Sequence, residues 1–516
     1  MIKFLFNKIQ KFIFCYYWLL FPKKIDKLNL NDLNFKKIDF VNYQKIRSYF
    51  FKENFFKKYS SLETHSFDFL YFAKKLGGKT GIELSKKNIF QWYTLFKHKV
   101  NFPWSEELIA KRLINILYNY EFINSLSTKY ETDYLNKIVY IHVKRLFYEF
   151  KKKSESDLTS EELKAVTLFS LIFNKNNLKF LKKTEASLDA QVDSLGMHKS
   201  YNPLEHAKFI NNINEIKNIF LYFGIKIPDK INFFSLNMTS ILNQYIHDDG
   251  SIALFNGANN NYQKQIIEIL NQEEFLKSRT FKYVENGIAF YYDKKKRVFY
   301  DVVQPTNYGF SKNLSAGTLS FELSVLGEKI ITNCGASENS GKNPEYLRYS
   351  AAHSTIILKN TNISEIKEKS SHLKYPQSVS FNYENINDMS ILEGSHNGYM
   401  NKYKKIIKRK LIISNNENKV IGEDSIISLK AKNEKIVYHI RFHLMPGINT
   451  NITNNKKNII LKTKKNNMWL FKSDSEIAIE NSIYVNNNTT KEIQQIVIKG
   501  ITLKTKQIEK WSIEKI

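Results

Sequence analysis

The chain has 516 residues, 42% of them hydrophobic, with 78 Lys+Arg against 50 Asp+Glu and a formal net charge of +28. That content excludes a wholly disordered chain, and the length allows two domains with large cores. Cys15 and Cys334, far apart in sequence, exclude a disulfide framework and a thiolate metal cluster and leave the redox compartment open.

Only eight of the basic residues are Arg, and Lys is spread along the whole chain. A dedicated nucleic-acid surface clusters Arg for bidentate phosphate contacts. The excess therefore reads first as compositional bias in a chain crowded with Asn, Ile and Phe, and second as a diffuse positive field suited to a polyanion. No nucleic-acid partner is expected.

At the N-terminus, basic flanks surround the ten-residue apolar run from Phe12 to Phe21, with Pro22 next. Ten residues fall short of the roughly 20 that span a bilayer. No small-residue cleavage site follows, so a buried first helix or an interfacial anchor reads at least as well as a secretory signal. A peripheral membrane contact through this segment stays open.

From about residue 40 to 275 the apolar residues recur with helical period. Phe67 to Leu76 reads as a helix closed by Gly77-Gly78. Ser105-Glu106-Glu107 reads as an N-cap with first-turn acids, leading into Ile109, Leu113, Ile116 and Leu117 on one face. Glu161 to Phe173 and Ala207 to Phe223 read as further helices.

After about Phe281 the texture changes to short β-branched and aromatic runs, Lys329 to Thr332, Thr355 to Leu358, Lys410 to Ile413, Ile436 to His443 and Gln495 to Ile498. These predict antiparallel sheets. Asn449 to Asn455 and Asn486 to Asn488 read as surface turns. The expected division is an N-terminal basic and apolar segment (1–40), a helical domain (41–275) and a β domain (280–516), the change falling near Gln272 to Arg279.

Several segments in order resemble the heparinase II/III-like family of polysaccharide lyases, in particular its compact bacterial branch. The strongest are Asn333-Cys334-Gly335, similar to the family's acid-x-Gly strand end, and Arg348-Tyr349-Ser350-Ala351-Ala352-His353-Ser354-Thr355, similar to its Arg-x-x-x-x-His-Asn/Ser-Thr signature. Gly317 to Ser324, Ser395 to Tyr399 and Arg441 to Gly447 support them. In the helical half, Trp104 to Leu117, His198 to Pro203 and Asp249 to Gly257 match by texture. The resemblance covers most of the chain from about residue 60. It implies an α+β multidomain fold, an incomplete α/α toroid followed by an antiparallel β-sandwich, with a groove between them.

It also implies a chemistry. Such lyases break a uronic-acid glycoside by β-elimination, so a carboxylate must be neutralised by Asn, His or Arg while Tyr or His acts as base and acid. Relatives use a toroid Asn, a Tyr after the Ser/Asn-Pro loop and the first His of a His-x-His pair. Here that pair aligns with Asn313 and Ser315, and the strand-end acid with Asn333. Only His353 survives of the ligands that hold zinc in some members, so no family-type zinc, and no other cofactor, is expected.

Glu205 and His206 stand where the Tyr belongs, and Tyr201 is close by as a substitute. His353, Tyr201, His198, His206 and Asn313 are thus the catalytic candidates. Asn202, Glu205, Arg348 and Asn256 are the substrate-binding candidates. Each has a structural alternative: a core histidine for His353, packing for Tyr201, a loop residue for Asn313, and a buried ion pair for Arg348. His396 and His443 read as strand-packing histidines. Asp248-Asp249 read as a hydrolase acid pair is disfavoured, because adjacent carboxylates diverge and Gly250 marks a turn.

The expected function is a polysaccharide lyase acting on an acidic polysaccharide in the cell envelope or periplasm. The alternative is a non-catalytic glycan-binding or envelope-assembly protein that kept the frame.

Overall fold

The computed structural model describes residues 10–11, 13–14, 38–41, 43–52, 56, 62–173, 178–272, 287–305, 314–337, 344–366, 376–430, 434–486 and 489–516. The chain divides into two compact units, one of Met1–Gln191 with Phe209–Ser235 and the other of Val192–Lys208 with Leu236–Ile516. A helical N-terminal region is followed by two antiparallel sheets.

The longest helices lying wholly in the first unit are Gly78–Phe96, Glu106–Tyr118, Lys129–Lys152 and Ser160–Phe173. Thr128 and Glu131 form a capping box at the third of these, each satisfying the other's backbone N–H. Gly77 and Gly78 join two helices rather than ending one: Gly77 closes Phe69–Leu76 and the next helix begins at Gly78. Ser105 sits at the cap with extended backbone but no side-chain cap bond.

The core of this unit holds cations among aromatics. Arg112 donates to the carbonyls of His65 and Pro103 and to His142 Nε2, and lies 4.1 Å from the Trp92 ring centre. Of the N-terminal segment, Lys11 pairs with Glu149 at 2.7 Å and Phe14 stacks on Tyr148 at 4.2 Å; of the Phe12–Phe21 run, Phe12 and residues 15–21 lie outside the described residues. Among the described residues no helix is long and apolar enough to cross a membrane.

The strands, in chain order, are β1 (Ile288–Tyr292), β2 (Lys296–Asp301), β3 (Phe321–Val325), β4 (Glu328–Thr332), β5 (Ile356–Leu358), β6 (Val379–Ile386), β7 (Met389–His396) and β8 (Lys405–Ser414). They continue with β9 (Lys419–Ser428), β10 (Val437–Leu444), β11 (Asn449–Ile452), β12 (Asn458–Lys462), β13 (Met468–Ser473), β14 (Ile477–Asn486), β15 (Thr489–Ile501) and β16 (Lys506–Lys515).

One sheet runs β1-β2-β3-β4-β10-β15-β14 with β5 also on β10; the other runs β11-β12-β13-β16-β9-β8-β7-β6. Alternate residues of β8 are buried, Lys405, Ile407, Arg409 and Leu411, and this two-residue period is the mark of a sheet with one face in the core. Phe321, Phe442, Phe471 and Trp511 pack in that core. Gly422 lies under Trp511, where a Cβ would sit 2.0 Å from the indole, so the close approach requires glycine. Asn449–Ile452 is a strand paired with β12, not a turn, because its backbone completes a sheet edge despite the Asn-rich composition.

Candidate active site

The site begins at a break in the first sheet. One edge of β10 pairs with β4 near His443 and with β5 near Tyr438. Ser354 bridges the interruption, its hydroxyl donating to the Thr332 carbonyl at 2.8 Å and accepting from the His443 N–H at 3.0 Å. Thr355 donates to the Thr318 carbonyl at 2.9 Å. The last two residues of the signature are therefore main-chain ties, which explains why hydroxyl side chains stand there.

Behind them Arg409 grips Asp424 with two bonds of 2.7 and 2.9 Å and donates to the carbonyls of Leu319 and Ser354. Trp511 donates to the same carboxylate at 2.9 Å. This buried guanidinium ties both loops of the site to the second sheet.

His353 lies at the strand break, 4% exposed, and neither ring nitrogen has a hydrogen-bond partner among the described residues. Gly317 runs over the ring so closely that a Cβ would come 3.0 Å from His353 Cγ. Burial, only partly opposed by the Glu322 charge, brings its pKa down to about 4, so the imidazole is neutral near pH 7. His443 is within electrostatic reach of His353, and burial first and His353 second lower its pKa to about 3; its Nδ1 meets Ser482 Oγ at 2.7 Å.

Beside the Gly317 segment that covers this ring, three loops are joined by two asparagines. Asn202 caps the helix Pro203–Tyr222, its Oδ1 accepting from the N–H groups of Leu204 and Glu205, while its Nδ2 donates to the Asn256 carbonyl at 2.9 Å. Asn256 reciprocates toward the Tyr201 carbonyl at 3.1 Å and accepts the Ser315 N–H at 3.1 Å. Tyr201 and Asn256 both take positive φ, 47° and 50°. Tyr201, Asn202, Asn256 and Ser315 thus belong to one hydrogen-bonded cluster, and Gly317, two residues beyond Ser315, covers the His353 ring.

The Tyr201 hydroxyl lies beside Asp193; burial first and that carboxylate second raise its pKa, keeping the phenol protonated. Arg348 donates to the Leu314 carbonyl at 3.1 Å, next to the same cluster.

Other candidates are differently placed. His206 is a main-chain staple: its Nδ1 accepts the His198 N–H at 3.2 Å and its Nε2 donates to the Met238 carbonyl at 2.8 Å. His198 turns its Nδ1 to Ser200 Oγ at 2.8 Å. Glu205 lies on the first helical turn with Lys208 at 3.4 Å. His396 accepts the Gly398 N–H at 3.1 Å in the second sheet. Asn313 lies outside the described residues. Asp248 pairs with Arg297, and Asp249 accepts from both the N–H and hydroxyl of Ser251.

A buried hub escaped the sequence reading. Glu322 receives Lys329 at 2.8 Å, His247 at 2.9 Å, the hydroxyl of Thr332 at 3.1 Å and the N–H groups of Leu254 and Asn333. Burial alone would raise this carboxyl; Lys329 and His247 overcome it and hold it at about 2. The only sequence signal was Glu322 inside a family-like segment.

Asn333, where the resemblance places an acid, spends its amide on main chain: Oδ1 accepts from Ser354 N–H and Nδ2 donates to the Leu254 carbonyl. A tetrahedral zinc needs three or four His, Cys or carboxylate donors. Asn333 commits its amide to main chain and Ser315 offers a hydroxyl, neither of them a donor that zinc selects.

Residues 277–512 match the family model described as heparinase II/III-like, C-terminal. Heparan sulfate lyase HepC from Pedobacter heparinus is similar with a TM-score of 0.59 and 14% identity, over 92% of this chain and 78% of that one. A heparinase III gives a TM-score of 0.69 and 12% identity over 97% of this chain and 88% of its own. Another heparinase III gives 0.66 and 11%, over 98% and 88%. At these identities the likeness is one of fold. No curated protein matches the sequence. Residues 277–512 thus carry a heparinase II/III-like C-terminal domain.

Proposed function

We propose that the chain is a polysaccharide lyase that cleaves a uronic-acid-containing acidic polysaccharide by β-elimination, without a metal or other cofactor, in the cell envelope or periplasm. The observation that supports this reading is His353, a neutral imidazole with neither nitrogen engaged by a described residue, covered by Gly317 two residues beyond Ser315, whose N–H is bonded to the Asn256 that holds the Tyr201 carbonyl. The heparinase II/III-like C-terminal domain and the fold similar to that of a heparan sulfate lyase support this reaction class.

In the proposed step His353 takes the proton alpha to the uronate carboxylate. The released electron pair forms the C4–C5 double bond, and the C4–O bond breaks. The protonated Tyr201 phenol gives its proton to the leaving oxygen. Arg348 offsets the charge that builds on the carboxylate. Proton exchange with water resets both groups.

A second reading, a non-catalytic glycan-binding or envelope-assembly protein on the same fold, draws support from the near-complete enclosure of His353 and the commitment of Asn333 to main chain. Incubation with heparan sulfate and other uronic-acid polysaccharides, followed by the ultraviolet absorbance of the unsaturated product, separates the two. A rise lost in His353→Ala and in Tyr201→Phe carries the lyase reading. No rise with retained glycan binding carries the second.

A further inference from the structure

The end of the sandwich at Val437, away from His353, has an unusual surface. Four aliphatic side chains stand in solvent there: Leu429 is 55% exposed, Val437 44%, Ile501 48% and Leu503 67%. The main chain places them together. Val437 and Ile501 are directly opposed on β10 and β15, the Leu429 N–H donates to the Lys404 carbonyl at 3.0 Å, and the Ser428 N–H donates to the Thr505 carbonyl at 2.7 Å.

The same loops carry exposed Lys359, Lys404, Lys430, Lys435, Lys504 and Lys506. Lys430 is partnered by Glu434 at 3.4 Å; among the described residues no carboxylate lies within ion-pair distance of the other five. Six residues of strand separate Val437 from His443, about 20 Å at strand rise, so this face is distinct from the candidate active site.

Lysines around aliphatic loop tips are the chemistry of an interface with anionic lipid: the ammonium groups meet phosphate headgroups while Leu and Ile reach the acyl boundary. A polysaccharide would use the charges but has no use for the aliphatic tips, and none of the exposed apolar side chains here is aromatic, as sugar stacking requires. We propose that this end of the sandwich docks on an anionic lipid surface through Leu429, Leu503 and the lysines beside them. The inference stands apart from the lyase reading.

The test is sedimentation of the full chain with vesicles of phosphatidylcholine alone and with added phosphatidylglycerol, at low and high salt. Binding is expected only to the anionic vesicles. Leu429→Ser with Leu503→Ser, and separately Lys504→Glu with Lys506→Glu, are each expected to weaken it by roughly tenfold or more, with unchanged melting temperatures. Heparan sulfate serves as the lipid-free polyanion. Failure of the wild-type chain to bind anionic vesicles overturns the proposal. So does vesicle binding that ignores the leucine pair, which would mark a polyanion surface for acidic polysaccharide instead.

Discussion

The side-chain amide of Asn333 joins two loops, its Oδ1 accepting the Ser354 N–H at 3.0 Å while its Nδ2 donates to the Leu254 carbonyl at 3.2 Å. An Asp there could accept but not donate, and its carboxylate would face a carbonyl beside Glu322, which already accepts the Asn333 N–H at 3.0 Å. Asn333→Asp is therefore expected to cost about 1–3 kcal/mol and to gain no metal. Denaturant unfolding and metal analysis after dialysis against zinc check both; one zinc per chain in the variant would reverse the argument.

The Lys329–Glu322 pair is wholly enclosed, and its carboxylate serves five donors. Removing one charge strands the other. Glu322→Gln is expected to destabilise by about 3–5 kcal/mol, whereas Glu322→Gln with Lys329→Met should cost less than the two single changes added. A double-mutant cycle measures this, and simple additivity would mean the two charges do not depend on each other.

How much of this was legible depended on range. The helix periods and most strand centres showed in sequence because they are local. The start of β8 did not, since Lys405 and Arg409 occupy its buried phase and disguise the alternation; Arg409 is inward because Asp424, its cross-strand partner, neutralises it. Likewise His247 bonds Glu322 across 75 positions, a pairing no local pattern announces. At the site, the signature drew attention to His353 and Ser354, whereas the cap made by Asn202, read in the sequence as a substrate-binding candidate, showed only in the fold. That His206 is a staple between two stretches of main chain depends on Met238, on the following helix.

Arg409 is the second buried charge pair to test. Its fork meets both Asp424 oxygens and two carbonyls, a geometry that a lysine ammonium cannot reproduce. Arg409→Lys is expected to lose on the order of 3 kcal/mol. Because the Ser354 carbonyl is one of its acceptors, hydrogen exchange should rise around residues 353–355 before global unfolding. Unchanged protection there would separate Arg409 from the site.

Acid should unfold this chain early. Burial leads the lowering of six histidines: His198, His247 and His353 to about 4, and His206, His396 and His443 to about 3. A depressed folded pKa means that the unfolded chain takes up protons first, near its ordinary 6.5. The stabilisation is complete above about pH 6.5 and is lost as pH falls toward 4. Asp301 acts in the opposite sense. Burial raises it to about 7, so its share is complete below its ordinary 3.8 and is lost as pH rises through 7. Six histidines at roughly 3 kcal/mol each outweigh one carboxyl and exceed the roughly 5–15 kcal/mol that holds a domain together. The acid unfolding midpoint is therefore expected above pH 4, with several protons taken up cooperatively. Far-ultraviolet dichroism against pH gives the midpoint and slope, and His396→Phe should lower the proton count by one. A midpoint below pH 4 would mean that the histidine sites relax and accept their protons without unfolding.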